Sequence, residues 1–364
     1  MTRHLSRSPF SRLPRAVAAG TALTTLTALA LLTGCSSSDD GDAVSFDTPR
    51  HSPAGRQQAA AATRPGNSEA KTPVPRTVFP TGPEASFTTA ATLDDGTKIG
   101  VTELHGAKSG FTGKVWVWAP KQYFDPKYAD SGFPVLISLP GSYGYPVNYW
   151  MGKDLGLQSN ISRWSEEGKG LPFIVVMPVL NPDNKHYYDG SDIPGQPRMG
   201  TWLSEDVPDF VQANFRTFAS RDGWAFMGSS SGGFAGLKAV LQRPDRFKAV
   251  IASGPDTVPD SPLWRGYEAQ KQANNPERLA TALAQKPDTP GNRVYLAFQI
   301  GTKETSIKML KHFIQAYTNK GPVKSHLQVI QNGGHNARTY IKGMDEGSIA
   351  WISQYLQGPV ASSS

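Results

Sequence analysis

WAFMGSSSGGFAG, residues 224–236, is the stretch from which the fold can be read. Trp224 to Met227 has the character of a short buried strand, and Gly228-Ser229-Ser230-Ser231-Gly232 follows it. A helix-compatible run then extends from Phe234 through Leu241 and is closed by Arg243-Pro244. This is G-x-S-x-G between a strand and a helix, the setting of a nucleophile elbow. A serine hydroxyl is a weak nucleophile at neutral pH and must be activated by a base. A sharp turn lifts its oxygen clear of the sheet, and the backbone there leaves room only for glycine two residues to either side. Ser230 has glycine at both places, whereas Ser229 and Ser231 are out of register. With 36 glycines in 364 residues, chance alone supplies such a pattern roughly 0.3 times per chain. The weight therefore rests on the strand–turn–helix setting and on partners downstream.

The chain begins with a different kind of segment. Arg3, Arg7, Arg12 and Arg15 form a basic start, and Ala16 to Leu32 is largely apolar but short for a membrane-spanning helix. It ends in Leu32-Thr33-Gly34-Cys35, which resembles the lipobox of bacterial lipoproteins. Residues 1–34 are accordingly expected to be a signal peptide, Cys35 the lipidated residue, and the mature protein extracytoplasmic and membrane-anchored. Cys35 is the only cysteine, so no intramolecular disulfide is possible. Removing the signal takes away four arginines and no acid, leaving 33 basic against 30 acidic residues, a charge of +3 in place of +7. No basic patch interleaved with aromatics is present, which excludes nucleic acid as a partner. From residue 35 to 83 the composition is Ser, Asp, Ala, Gln, Thr, Pro and Gly, too poor in large apolar residues to offset ordering. A disordered tether is expected there, and a short disordered tail at 359–364.

The remainder, residues 84–358, has the length of one large domain. Strands are expected at Lys98–Leu104, Gly113–Ala119, Pro134–Leu139, Phe173–Met177, Trp224–Met227, Phe247–Ala252, Val294–Ile300 and His326–Ile330. Helical patterns occupy Leu203–Asn214, Phe234–Gln242, Thr305–Thr318 and Gly347–Leu356. The early strands are separated by hairpin-type turns, and the later, continuously apolar ones alternate with amphipathic helices. That combination predicts an α/β fold with a mostly parallel sheet covered by helices on both faces, the α/β-hydrolase layout.

In that layout the partners of the serine follow in the order acid, histidine. His4 falls in the signal, His51 in the tether, and His105, His186, His312 and His326 on strands, a helix or an early loop. His335 alone lies in a glycine-rich loop, QNGGHN, after the last strand, from which an imidazole can reach back to Ser230. The acid should end a preceding strand and orient that imidazole. Glu304, after VYLAFQIGTK, is preferred to Asp256, after AVIASGP, with Asp288 and Asp345 behind them. An oxyanion hole needs two backbone N–H groups. One is expected from Ser231 and the other from the Leu139-Pro140-Gly141-Ser142-Tyr143-Gly144 loop, where Ser142 is the first choice and Tyr143 the second.

Seven co-linear blocks carry a resemblance: FPVLISLPGSYG, GKGLPFIVVMP, TWLSEDVPDFVQANFRT, GSSSGG, RPDRFKAVIASG, GTKE and GGHN. From about Lys98 to Leu356 the chain resembles the esterase D and mycolyltransferase group of α/β-hydrolases. The resemblance implies Ser230, Glu304 and His335 as the catalytic set, with Ser142 and Ser231 at the oxyanion positions. Pro140-Gly141 stands where many relatives have His-Gly or Asp-Gly, and Ser231 where Met or His is usual. No H-E-x-x-H, paired cysteines, EF-hand loop or nucleotide-binding glycine loop is present, so neither a metal nor an organic cofactor is expected. The sequence reading is thus a lipid-anchored serine esterase acting on a small-molecule or envelope-lipid ester. Acyl transfer through the same intermediate, and a non-catalytic envelope-binding protein on this fold, are its alternatives.

Overall fold

A computed structural model describes residues 41–47 and 76–362. The expected signal segment, Cys35 and most of the tether lie outside the described residues. One ten-stranded sheet organises the rest. In chain order its strands are β1 (Ala43–Val44), β2 (Phe87–Thr92), β3 (Lys98–His105), β4 (Thr112–Trp118), β5 (Val135–Leu139), β6 (Ile174–Pro178), β7 (Trp224–Ser229), β8 (Ala249–Ser253), β9 (Val294–Gly301) and β10 (Val323–Ile330). Their order across the sheet is β1-β2-β3-β4-β6-β5-β7-β8-β9-β10. The pairs from β1 through β4 to β6 are antiparallel, and those from β6 to β10 are parallel.

Every residue of β5 through β9 is buried, as continuous Val, Ile, Leu, Phe and Ala runs require when helices cover both faces. The covering helices are α1 (Leu157–Glu166), α2 (Val207–Asn214), α3 (Ser231–Gln242), α4 (Pro276–Ala284), α5 (Ile307–Tyr317), α6 (Ala337–Gly343) and α7 (Ile349–Ser353). Local chemistry sets several of their starts. The Asn275 side chain accepts from Glu277 N with Pro276 at the first helical position of α4, and Asn336 caps α6 by accepting from Thr339 N at 2.9 Å. The expected helix at Leu203–Asn214 begins instead as a wide π-type turn, Trp202–Asp206, and is regular only from Val207, next to Pro208. The expected C-terminal helix is shorter than Gly347–Leu356, because Gly347 takes non-helical angles and the regular part begins at Ile349.

The parallel strands end in step. Leu139 pairs with Gly228, Ser253 with both Ser229 and Gln299, and Gly301 with Ile330. Five loops therefore leave the same edge of the sheet side by side, at the carboxyl ends where ligands bind in open α/β sheets.

The tether expectation needs correction at both of its described ends. Ala43 and Val44 pair with Thr88 and Phe87, and Phe46 is buried with its ring 5.0 Å from Phe87 and 5.1 Å from Phe215. Thr77–Val78 pairs with Thr217–Phe218. The 359–364 tail is likewise held at its start, where Val360 N donates to Ser131 Oγ and Ser362 N to the Lys127 carbonyl. Composition missed these contacts because an exposed sheet edge supplies the hydrogen bonds, so one aromatic anchor is enough to dock a polar segment. Phe46→Ala should destabilise the protein by about 3 kcal/mol in urea unfolding. A loss within the error of the measurement would show that the segment is not docked in solution.

Candidate active site

The elbow is built from close backbone contacts. A Cβ at Gly228 would lie 2.4 Å from the Gly232 carbonyl oxygen, and one at Gly232 would lie 2.3 Å from the Pro140 carbonyl oxygen. Both positions thus exclude any side chain, and the turn forces Ser230 to φ 54°, ψ −124°, a conformation costly for a residue with a Cβ and one that clusters at functional sites. The amide of Ser230 donates to the Ser253 carbonyl at 2.8 Å, which ties the turn to the end of β8. Ser230 is half-exposed at the floor of a cleft of about 620 Å³ that His335, Tyr149, Tyr187 and Tyr340 also line.

Glu304 and His335 meet from different strand ends. His335 Nδ1 lies 2.7 Å from Glu304 Oε2. A carboxylate only accepts, so Nδ1 carries the proton, and Nε2 is left without a hydrogen-bond partner among the described residues. The other Glu304 oxygen accepts the Gly301 N–H at 2.7 Å. Tyr340 donates to Oε2 at 2.9 Å and its hydroxyl sits 2.8 Å from Nδ1. Burial pushes the Glu304 carboxyl up, but the bonds from His335, Gly301 and Tyr340 outweigh it and hold the group below its usual range. The Glu304 bond raises the His335 imidazole above its ordinary value, against partial burial. The Glu304 side chain is 1% exposed and the His335 side chain 50% exposed, an anchored carboxylate beneath an accessible imidazole. Gly254 (φ +50°) closes over them, since a Cβ there would lie 2.2 Å from the Tyr340 hydroxyl oxygen and 2.6 Å from Glu304 Oε2.

The other sequence candidates sit elsewhere. Asp256 is half-buried and makes no hydrogen bond to His335, although its charge raises the imidazole slightly. Its own carboxyl is pushed up by burial and by Asp260. Asp288 pairs with Arg293 at 2.6 Å and Lys324 at 2.7 Å, and Asp345 with Arg163 at 2.8 Å. His105 bonds Thr112 at 2.8 Å, His326 stacks on Trp351, and His186 and His312 are exposed. Ser142 adopts φ 58°, and its carbonyl accepts from Ser231 Oγ at 2.7 Å. No protein acceptor among the described residues takes the Ser142 or Ser231 amide, whereas the Gly141 amide donates to the Tyr149 hydroxyl at 2.6 Å.

One wall of the cleft is held from below. Tyr187 stacks on Tyr143 with ring centroids 4.8 Å apart and planes 11° from parallel. Its carbonyl accepts from Ser261 Oγ. Two residues on, Asp189 accepts from Trp264 Nε1 at 2.6 Å, and the Asp189 carbonyl accepts from the buried Lys238 amine at 2.6 Å. Burial pushes that amine down and the Asp189 carboxyl up. Gly254, Tyr340 and Tyr149 are site residues that the sequence reading missed. The only local signal for Tyr340 is its place one turn into the helix that Asn336 caps.

Sheet order, elbow and histidine loop together define an α/β-hydrolase. The family described as putative esterase matches residues 113–357, and the chain belongs to that family. An uncharacterised protein of Corynebacterium glutamicum is 23% identical over 276 residues, which cover 70% of this chain and 62% of that protein. An esterase of Mycobacterium tuberculosis is 29% identical over 137 residues, 30% of each chain. The chain therefore spans less than two thirds of the length of these curated relatives. Among solved structures, a ferulic acid esterase superposes with a TM-score of 0.59 at 18% identity, over 71% of this chain and 98% of that one. An S-formylglutathione hydrolase from Agrobacterium tumefaciens gives 0.55 at 18% identity, over 73% and 98%. These likenesses show the fold.

The geometry around His335 makes a prediction that needs no substrate. Glu304→Gln should lower the imidazole pKa in an NMR titration, because it removes the anion that stabilises the charged ring. Asp256→Asn should lower it much less. Equal shifts from the two variants would contradict the arrangement described.

Proposed function

We propose that the protein is a serine esterase that cleaves a carboxylic ester through an acyl-enzyme on Ser230. The observation that carries this reading is the half-exposed His335, proton fixed on Nδ1 by Glu304 and Nε2 without a partner among the described residues, in the cleft that Ser230 lines. In the first step Nε2 takes the Ser230 proton as Oγ bonds to the ester carbonyl carbon, and the carbonyl oxygen becomes an oxyanion. The Ser142 and Ser231 amides hold that oxygen, and Glu304 stabilises the imidazolium. His335 then returns its proton to the leaving alcohol, and water repeats the sequence on the acyl group. Membership of the esterase family and the name of the mycobacterial relative support hydrolysis over transfer. A surface that only bound envelope material would have no use for a buried carboxylate hydrogen-bonded to an accessible imidazole.

The walls of the cleft support a reading of the substrate class. Tyr149, Tyr187 and Tyr340 surround the cleft with Leu155 and Ala337, and the Tyr143–Tyr187 stack offers a rigid flat face. Such a site suits an ester with a planar aromatic group, the kind of acid named for the ferulic acid esterase neighbour. We also infer from residues 1–35 that the chain is lipidated on Cys35 and tethered outside the cytoplasmic membrane, within reach of envelope esters.

Three experiments test these readings. Ser230→Ala should abolish ester turnover and covalent labelling by a fluorophosphonate, while Ser229→Ala and Ser231→Ala still take the label; labelling that survives in Ser230→Ala would sink the assignment. Glu304→Gln should cost on the order of 10⁴-fold in kcat and Asp256→Asn about tenfold, with aryl esters the better substrates in a chromogenic panel. The reverse ranking would transfer the acid's role to Asp256. Cys35→Ala should block lipoprotein-type processing and move the protein out of the detergent phase, since several acyl chains anchor firmly where one does not. Unchanged partitioning would refute the anchor.

A further inference from the structure

The segment that carries Tyr149 is pinned to the ends of two central strands. Asn148 is fully buried, and its amide donates to the carbonyls of Ser138 at 2.8 Å and Pro178 at 2.9 Å, at the ends of β5 and β6. Trp150, also fully buried, donates its indole N–H to the Leu139 carbonyl at 2.9 Å. Between these anchors the Tyr149 phenol has little freedom. Its hydroxyl accepts the Gly141 N–H at 2.6 Å and shares a second hydrogen bond with Ser229 Oγ. Burial pushes the phenol pKa up, so the group stays protonated and neutral at working pH. One oxygen thus joins the loop after β5 to the elbow, at the residues immediately before Ser142 and Ser230.

This link has a consequence for the reaction. Two successive amides, Gly141 and Ser142, leave β5 close to the nucleophile, since a Cβ on Gly141 would lie 3.2 Å from Ser230 Cβ. A donor contributes to an oxyanion hole only if it is aimed in advance and has no competing acceptor. Tyr149 engages the Gly141 N–H, and the Ser142 N–H, at φ 58°, has no acceptor among the described residues. We propose that Tyr149 is a positioning residue for the oxyanion hole: by engaging the Gly141 amide it selects the Ser142 amide as donor and holds it at a fixed separation from Ser230. The proposal rests on the serine-esterase reading and adds a residue to it.

The test compares wild type, Tyr149→Phe and Ser229→Ala on an aryl ester and in the adduct with an aryl trifluoromethyl ketone. In that adduct Ser230 Oγ bonds to the ketone carbon, the serine proton passes to His335, and the carbonyl oxygen becomes an oxyanion. Its pKa, read by ¹⁹F NMR, falls the better the amides hold it. Tyr149→Phe should lower kcat about 30-fold, leave KM within about twofold and raise the adduct pKa. Ser229→Ala removes one end of the link but keeps the Gly141 bond, so it should move both quantities the same way by less, about threefold in kcat. If Tyr149→Phe does not fold, the adduct pKa of Ser229→Ala decides alone. Unchanged kcat with an unmoved adduct pKa overturns the proposal. A raised KM with kcat intact also overturns it, because the hydroxyl would then bind substrate rather than order the Gly141 amide. A wild-type protein that forms no adduct at Ser230 overturns the esterase reading and the proposal together, whereas an adduct indifferent to both substitutions overturns the proposal alone.

Discussion

Strand β7 passes into α3 through a turn so tight that three backbone segments share the space one side chain would fill. The carbonyls of Leu139 and Pro140 press against Gly232, and the Gly232 carbonyl presses against Gly228. From that contact much of the site follows. It strains Ser230 and half-exposes it. It also brings the loop after β5, with Ser142, against the elbow that carries Ser231. Parallel pairing supplies the rest, since strand ends in register place the Glu304 and His335 loops beside the serine without long excursions.

Burial around the acid works in the same direction. A carboxylate that is almost wholly buried would tend to take up a proton, and then could not stabilise a charged imidazole. Three donors, from His335, the Gly301 backbone and Tyr340, reverse that tendency. Gly254 is part of the same device, because any side chain there would collide with the hydrogen-bonded group. Asp256 shows the contrast. It lies just past the end of the neighbouring strand, and burial and Asp260 raise its carboxyl more than His335 and its own backbone amide lower it.

The polar neighbourhood of the cleft is layered. The aromatic wall at Tyr143 and Tyr187 rests on a buried network of Asp189, Lys238, Ser261 and Trp264. A lysine as buried as Lys238 is tolerated because two carbonyls and the Ser191 hydroxyl accept its hydrogen bonds. Rigid support of this kind lets loops, which are otherwise the mobile parts of a domain, hold a reactive geometry.

What the sequence determined by itself were the features written locally: the strand–turn–helix around Ser230, the buried strands as continuous apolar runs, and the placing of Glu304 and His335 in the loops after the last two strands. Steric exclusion at Gly228 and Gly232 and the period of apolar residues act over a few positions, so a linear reading captures them. Tertiary structure alone decided which distant groups touch. Tyr149 reaches Ser229 across 80 positions and Tyr340 reaches Glu304 across 36, and neither tyrosine carries a local mark that separates it from a packing residue. The docking of residues 41–47 was invisible for a related reason. Their composition cannot sustain a fold alone, but the edge of β2 and the rings of Phe87 and Phe215 supply partners that composition does not count. Propensity and spacing are local quantities, whereas hydrogen-bond partners and buried neighbours exist only once the sheet has brought its loops together.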